Sequence, residues 1–227
     1  MRLRVVPARR SVTRQRQARK WRASGPHESG RTLAPMDEPD RILLADARRA
    51  LQRAAGRVAD LLRSLPDLDT DIPRSDWTVR EAGVHLLTGT TLCADIATGM
   101  PSPVCDLASE TLAAENAARI ADIPESDPAT LARLLEDAVD RVLQVTTHRK
   151  GDEIVVWHGA RRVPLAHLVA LCVGEQLLHG FDIATATGRA WTIEPAQVRL
   201  VVDAYAAIDE GEFQLESLKG RTSWISL

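Results

Sequence analysis

Residues 165–186 read LAHLVALCVGEQLLHGFDIATA, and this stretch decides the fold of the chain. Residues at alternating spacings of three and four line one face of a helix. Here that face is apolar at its beginning and ionisable further on, with the members Leu165, Leu168, Cys172, Glu175, His179, Asp182 and Ala186. The apolar beginning predicts that the face lies in a protein core. Ionisable side chains in a core cost several kcal/mol each unless a partner satisfies them.

A metal ion is the partner that this pattern predicts. Glu175 and His179 lie one helical turn apart, so one ion can bind both side chains. Thr78 and Glu81 have the spacing of a capping box, which marks the start of another helix, and His85 is the only polar member of the core-facing stripe that follows. One carboxylate and two imidazoles suit zinc, with other first-row metals as alternatives, and leave a fourth position for water or substrate.

We therefore predict a divalent metal site formed by His85, Glu175 and His179. Because imidazoles must be neutral to coordinate, the affinity for the metal should fall below about pH 6.

The neighbours of these residues have alternative roles. Asp182 is a fourth ligand, a surface group, or an acceptor that orients an imidazole, and the acceptor is favoured because metal-bound histidines usually donate their other N–H. Cys172 is interpreted as a packing residue, with lining of the site as the alternative. Glu81 is assigned to the helix cap. The other histidines are interpreted as structural or solvent-exposed, and two tryptophans as packing anchors: His27, His148, His158, His167, Trp77 and Trp157.

The composition predicts one soluble α-rich domain. The chain has 227 residues, of which 44% are hydrophobic and only 4% aromatic, and its longest apolar run is far below the roughly 18 residues of a membrane span. Three cysteines without a CxxC pair make a disulfide framework improbable and favour a cytoplasmic location. No glycine-rich phosphate loop is apparent, which weighs against nucleotide binding.

Charge divides the chain into three predicted segments. Residues 1–35 carry nine Arg and one Lys against a single acid, whereas the rest of the chain is acidic. We expect residues 1–35 to be a disordered basic extension, residues 36–210 to be the metal-binding domain, and residues 211–227 to be a loosely ordered tail.

Hydrophobic periodicity predicts an all-α fold, a four-helix bundle with a short β-hairpin or extended segment before the fourth main helix. A bundle of this kind places the predicted ligands in its core. The main helices are expected over about 40–65, 79–98, 128–145 and 164–188, with further helices over 107–121 and 195–208 and the hairpin over 153–163.

Three segments also resemble the mycothiol-dependent maleylpyruvate isomerase family. They are Trp77-Thr78-Val79-Arg80-Glu81 leading to His85, the run from Gly174 to Ala184, and Gly188-Arg189-Ala190-Trp191. The resemblance covers roughly 40–208 and implies a DinB-like metal-binding four-helix bundle. It also implies that a divalent ion, usually zinc, is held by residues matching His85, Glu175 and His179, beside which mycothiol is activated.

This chain departs from the family pattern in two ways. The isomerases proper continue into a C-terminal domain that helps to form their active site, whereas this chain stops soon after the bundle. The basic extension is also not part of the pattern. The resemblance therefore implies metal binding and thiol chemistry more firmly than that particular isomerisation.

Three hypotheses of function follow. The first is a mycothiol-dependent transferase or isomerase that acts on a small electrophile, with no nucleic-acid or membrane partner, as a monomer or homodimer. The second is a non-catalytic bundle in which the metal is structural or sensory. The third is a nucleic-acid-associated factor that uses the basic extension. An unchanged activity after removal of residues 1–35 would contradict this third hypothesis.

Overall fold

Six helices and one short hairpin make up the described part of the chain, residues 42–104 and 109–207 of a computed structural model. The predictions for the basic extension and for the tail lie outside these residues. The helices are α1 (Leu44–Arg63), α2 (Val79–Ala97), α3 (Ser109–Ala121), α4 (Pro128–Val145), α5 (Leu165–Ala186) and α6 (Pro195–Ala206), and the strands are β1 (Ile154–Val156) and β2 (Arg162–Pro164).

Four of these helices form the predicted bundle. Helices α1 and α2 each pack against both α4 and α5, so the four surround one core. The predicted periodic residues supply this core, where fully buried side chains include Leu51, Val58, Leu131, Leu135 and Leu165. Helix α6 packs along α5, and α3 packs against α2. The predicted all-α bundle with a short hairpin is confirmed.

Capping contacts begin and end the helices, and the predicted capping box is one of them. Thr78 accepts a hydrogen bond from the backbone of Glu81, whose side chain accepts one from the backbone of Thr78, so the capping box is complete. Asp127 accepts from the backbone of Thr130 at the start of α4. Gly188, with φ of 65°, ends α5, and the next residue donates to the Ala184 carbonyl. These contacts satisfy backbone groups that a helix end leaves without partners.

Helix α5 is the central element of the fold. It contacts α1, α2, α6 and both strands, which explains why it is apolar on most sides. By length and composition it could cross a membrane, but 67% of its apolar window is buried inside the fold, as is typical of a core helix.

A close contact fixes the segment that follows α5. The Trp191 ring lies against Gly180, where an added Cβ would meet ring atoms at 2.3 Å. Arg57 of α1 lies 5.5 Å from the centroid of the same ring and donates to the Thr192 carbonyl at 2.9 Å. The chain after the glycine C-cap is thus folded back on α5 next to His179.

The hairpin covers part of the bundle near α2 and α5. Val155 and Val163 form a cross-strand pair, and both are buried. A 3-10 turn, His158–Ala160, connects the strands, and Gly159 donates to the Val104 carbonyl at 2.9 Å. The turn is therefore attached to the segment that follows α2.

Candidate metal centre

The structure brings the three predicted ligands together. His85 lies on α2, and Glu175 and His179 lie on α5. The Glu175 Oε2 atom is 3.3 Å from His85 Nε2 and 3.5 Å from His179 Nε2. All three candidate donor atoms lie within 4.8 Å of one another.

Two of the three separations between candidate donor atoms fit a divalent ion, and the third is known only to lie within 4.8 Å. Metal bonds of about 2.0–2.1 Å in a tetrahedral site place two ligand atoms roughly 3.3–3.4 Å apart. The two nitrogen-to-oxygen distances of 3.3 and 3.5 Å are close to this separation. The donor set fits as well, because imidazole nitrogen and carboxylate oxygen are both zinc ligands.

The three side chains differ in exposure. Those of His85 and His179 are 15% and 14% exposed, whereas that of Glu175 is 38% exposed. The imidazoles are therefore held by the surrounding protein, while solvent or a small ligand can reach the carboxylate.

Two further residues orient the ligands. The Asp182 carboxylate lies 3.3 Å from His179 Nδ1, which leaves the Nε2 atom facing Glu175. The contact agrees with the predicted role of Asp182 as an orienting acceptor, and the role toward a bound metal stays a prediction. Tyr205 of α6 is buried and donates its hydroxyl to Glu175 Oε1 at 3.5 Å, so Oε2 is left for the two imidazoles. A Cβ at Gly174 would lie 3.2 Å from the Tyr205 ring, so a glycine here lets α6 approach.

The surrounding charges separate the pKa values of the two histidines. Burial lowers the pKa of His85 more than its hydrogen bond to Glu175 raises it. Burial also lowers the pKa of His179, but hydrogen bonds to Asp182 and Glu175 outweigh it and raise the value to about 9. Burial raises the pKa of Glu175, and the hydrogen bonds from both histidines outweigh it, so the net shift is downward. Without metal, one imidazolium therefore lies between two carboxylates at neutral pH.

Comparison with known proteins assigns the family. The pattern of the mycothiol maleylpyruvate isomerase N-terminal domain matches residues 51–184, a range that includes all three candidate ligands. The chain belongs to this family. The crystal structure of the mycothiol-dependent maleylpyruvate isomerase matches with a TM-score of 0.53 and 17% identity, over 72% of this chain and 68% of that chain. At this identity the match supports the fold alone. No curated protein matches the chain.

Other predicted residues of this family member have structural roles. Cys172 is buried and donates weakly to Thr90 Oγ1 at 3.8 Å, and Cys93 is a second buried free thiol. Contact with Cys172 and burial raise the pKa of Cys93 well above its usual value, so this thiol is a poor nucleophile. The Trp77 ring centroid lies 4.9 Å from that of His85 and 5.6 Å from that of His179. Trp77 thus packs the two imidazoles in place, consistent with its interpretation as an anchor.

Residues outside the predicted set also interact with the candidate ligands, Tyr205 by contact and Arg119 and His158 through their charges. Sequence reasoning assigned no site role to Tyr205, Arg119 or His158. The carboxylate of Glu175 raises the pKa of His158 and the charge of Arg119 lowers it, although burial is the largest cause of its net decrease to about 4. The sequence contains a weak indication that Tyr205 belongs to the site. It is the only tyrosine of the chain, and it follows Val201 by one turn on the buried side of α6.

Proposed function

We propose that His85, Glu175 and His179 bind one divalent ion, most suitably zinc, in a mycothiol-dependent transferase or isomerase that acts on a small electrophile. The observation that supports this function is the convergence of three donor atoms within 4.8 Å in a chain of this family. We also propose residues 36–210 as the functional unit, a cytoplasmic location, and a monomer or homodimer.

The protein's own residues would prepare the reaction. His85 and His179 are held by Trp77 and Asp182, and the exposed side of Glu175 leaves access for a thiol and a second substrate. A divalent ion at this centre would lower the pKa of a thiol, because positive charge stabilises the thiolate. The thiolate sulfur would then add to an electrophilic carbon. With an activated alkene, the π electrons of the double bond would move onto the activating group as a carbanion. Protonation of this carbanion by solvent gives a conjugate, whereas rotation about the new single bond and expulsion of the thiolate give an isomerised double bond.

An open coordination position favours catalysis over a purely structural metal. A closed site needs a fourth protein ligand. Asp182 contacts the other ring nitrogen of His179, and Cys172 contacts Thr90, so neither belongs to the group of converging donors. Within residues 42–104 and 109–207, that group has three members.

The decisive experiment combines metal analysis with a thiol assay. We expect about one divalent ion per chain, and mycothiol-dependent loss of at least one member of a panel of activated alkenes and epoxides. The chelated protein, with its helical circular dichroism checked, is the control. A metal-loaded protein that never consumes an electrophile with mycothiol would contradict the enzymatic proposal and favour the structural or sensory alternative.

A further inference from the structure

The two carboxylate oxygens of Glu175 have different partners. Oε2 lies 3.3 Å from His85 Nε2 and 3.5 Å from His179 Nε2, so it faces the candidate metal centre. Oε1 lies 3.5 Å from the hydroxyl of Tyr205 on α6. A phenol keeps its proton at neutral pH and can donate it to a carboxylate. One oxygen of Glu175 is therefore directed to the imidazoles, and the other accepts a hydrogen bond from a residue outside the group of converging donors.

The packing of α6 fixes the position of Tyr205. A Cβ at Gly174 would lie 3.1 Å from Val201 and 3.2 Å from the Tyr205 ring, so α6 approaches α5 closely at this glycine. At the start of α6, the side chain of Gln197 is 1% exposed and donates to the Ala50 carbonyl of α1 at 3.2 Å. Tyr205 itself is 4% exposed. Its hydroxyl is therefore largely kept from water and depends on a protein acceptor.

The number of oxygens that Glu175 can offer decides whether the centre is open. A carboxylate can bind an ion through one oxygen or through both. Binding through both would use the position that three single-atom ligands leave free. To bring both oxygens to the centre, Glu175 would have to withdraw Oε1 from Tyr205, and a buried donor that loses its acceptor is unfavourable. The hydrogen bond therefore opposes binding through both oxygens.

We propose that Tyr205 is a positioning residue, which restricts Glu175 to coordination through Oε2 and so keeps one coordination position open for the thiol. This inference rests on the proposed metal site and does not depend on the proposed reaction. A purely structural Tyr205 would fill the space between α5 and α6 with its ring. Its hydroxyl would then have no effect on ligand binding at the centre.

The variant Tyr205→Phe tests the hydroxyl, because it retains the ring. We would load the wild type and the variant with cobalt, check the metal content of both, and titrate azide as a small anion that binds open positions of metal ions. The change in the visible cobalt bands measures its binding. In the variant, Oε1 is free to compete for the open position, so the azide affinity should fall about tenfold or more. Equal azide affinities of the two cobalt-loaded proteins would overturn the inference.

Two further variants separate the hydroxyl from the packing of α6. Gly174→Ala keeps the phenol but displaces it, so azide should again bind more weakly. Because the same hydrogen bond is lost only once, the double variant Gly174→Ala/Tyr205→Phe should bind azide no more weakly than Tyr205→Phe alone. Val201→Ala is the matched control, since it loosens the same buried contact without removing a hydroxyl and should bind azide as the wild type does.

Two outcomes of this series would assign the effect to helix packing and overturn the positioning role. The first is additive losses of azide affinity in the double variant. The second is a loss in Val201→Ala as large as that in Tyr205→Phe.

Metal content and thiol turnover distinguish this inference from the proposed function. A wild-type protein that does not retain cobalt would remove the proposed metal site and the inference with it. Weaker azide binding by Tyr205→Phe, without any mycothiol-dependent turnover by the wild type, would keep the positioning role and remove the proposed reaction. Turnover by the wild type, with equal azide affinities of wild type and variant, would keep the enzyme and remove the positioning role.

Discussion

The Asp182 carboxylate lies 3.3 Å from Nδ1 of His179, while Nε2 of the same ring lies 3.5 Å from the Glu175 carboxylate. An imidazole between two carboxylates retains its proton, and these contacts raise the pKa of His179 to about 9 against the opposing effect of burial. A metal that binds Nε2 must therefore displace a proton at neutral pH.

Metal binding should consequently release close to one proton per ion at pH 7.5. His85 contributes little, because its pKa is lowered and its ring is already neutral. The apparent affinity should rise about tenfold per pH unit up to about pH 9 and then level off. The metal affinity should therefore begin to fall below about pH 9. An ordinary imidazole would instead predict a fall below about pH 6.

Calorimetry in buffers of different ionisation enthalpy measures the released proton. Asp182→Asn is the informative variant, since it lowers the pKa of His179 and should reduce proton release at pH 8. An affinity that is already constant between pH 7 and 9 in the wild type would contradict the bridged imidazolium.

Removal of the metal should lower Tm by about 10 °C without abolishing helical circular dichroism at room temperature. Helices α1 and α4 have continuous buried faces that do not depend on the ligands, such as Leu51 and Leu131. The raised pKa of His179 stabilises the metal-free fold fully below the unfolded pKa of about 6.5, and this contribution is lost as the pH rises through about 9.

The decrease in Tm on chelation should therefore be larger at pH 9.5 than at pH 7. Thermal melts with and without chelator at both values measure it. Complete loss of helical signal on chelation at 20 °C would instead place the protein among folds that depend on their metal.

Each of His85→Ala, Glu175→Ala and His179→Ala should lose most of the bound metal. A three-ligand site retains too few donors after one is removed, and the remaining charge is left without its partner. Elemental analysis of the purified variants measures the content, with His148→Ala as an exposed-histidine control. Full occupancy in all three variants would refute the site.

Gly180→Ala and Gly56→Ala should have opposite effects on stability. The methyl group at position 180 would overlap the Trp191 ring, so we expect a loss of about 1–3 kcal/mol and a displaced ring. At Gly56, inside α1, an added Cβ would meet no atom of the described residues within 4 Å beyond its neighbours and its own helix backbone, so alanine should stabilise by about 0.5–1 kcal/mol. Urea unfolding measures the stability of both variants, and tryptophan fluorescence detects displacement of the Trp191 ring. Equal stability of the two variants would rule out the Trp191 contact as a constraint.

Local sequence signals predicted most of the fold because they depend on nearby residues. Helix periodicity and the Thr78 capping box each involve side chains within one or two turns, and the structure confirms them. The convergence of the three candidate ligands could be predicted for the same reason. His85, Glu175 and His179 interrupt otherwise apolar helix faces. These interruptions can be recognised in the sequence without knowing how the helices pack.

The groups around the ligands could not be predicted in this way. Tyr205 reaches Glu175 because Gly174 lets α6 approach α5, and Arg119 acts on His85 because α3 packs against α2. These relationships depend on contacts between helices that periodicity within one helix does not contain. His158 lies in a turn, where hydrophobic spacing carries no information on burial.

The last prediction concerns the open coordination position. If three protein ligands leave it free, mycothiol should bind there through its sulfur as a thiolate and release a further proton. In cobalt-substituted protein, thiolate coordination should produce a strong near-ultraviolet charge-transfer band during titration with mycothiol. A thioether analogue of mycothiol is the matched control, because it has no proton to lose and should give no such band. Absence of the band and of proton release, with cobalt confirmed in the site, would leave a hydrolytic or structural metal and remove the thiol-transferase proposal.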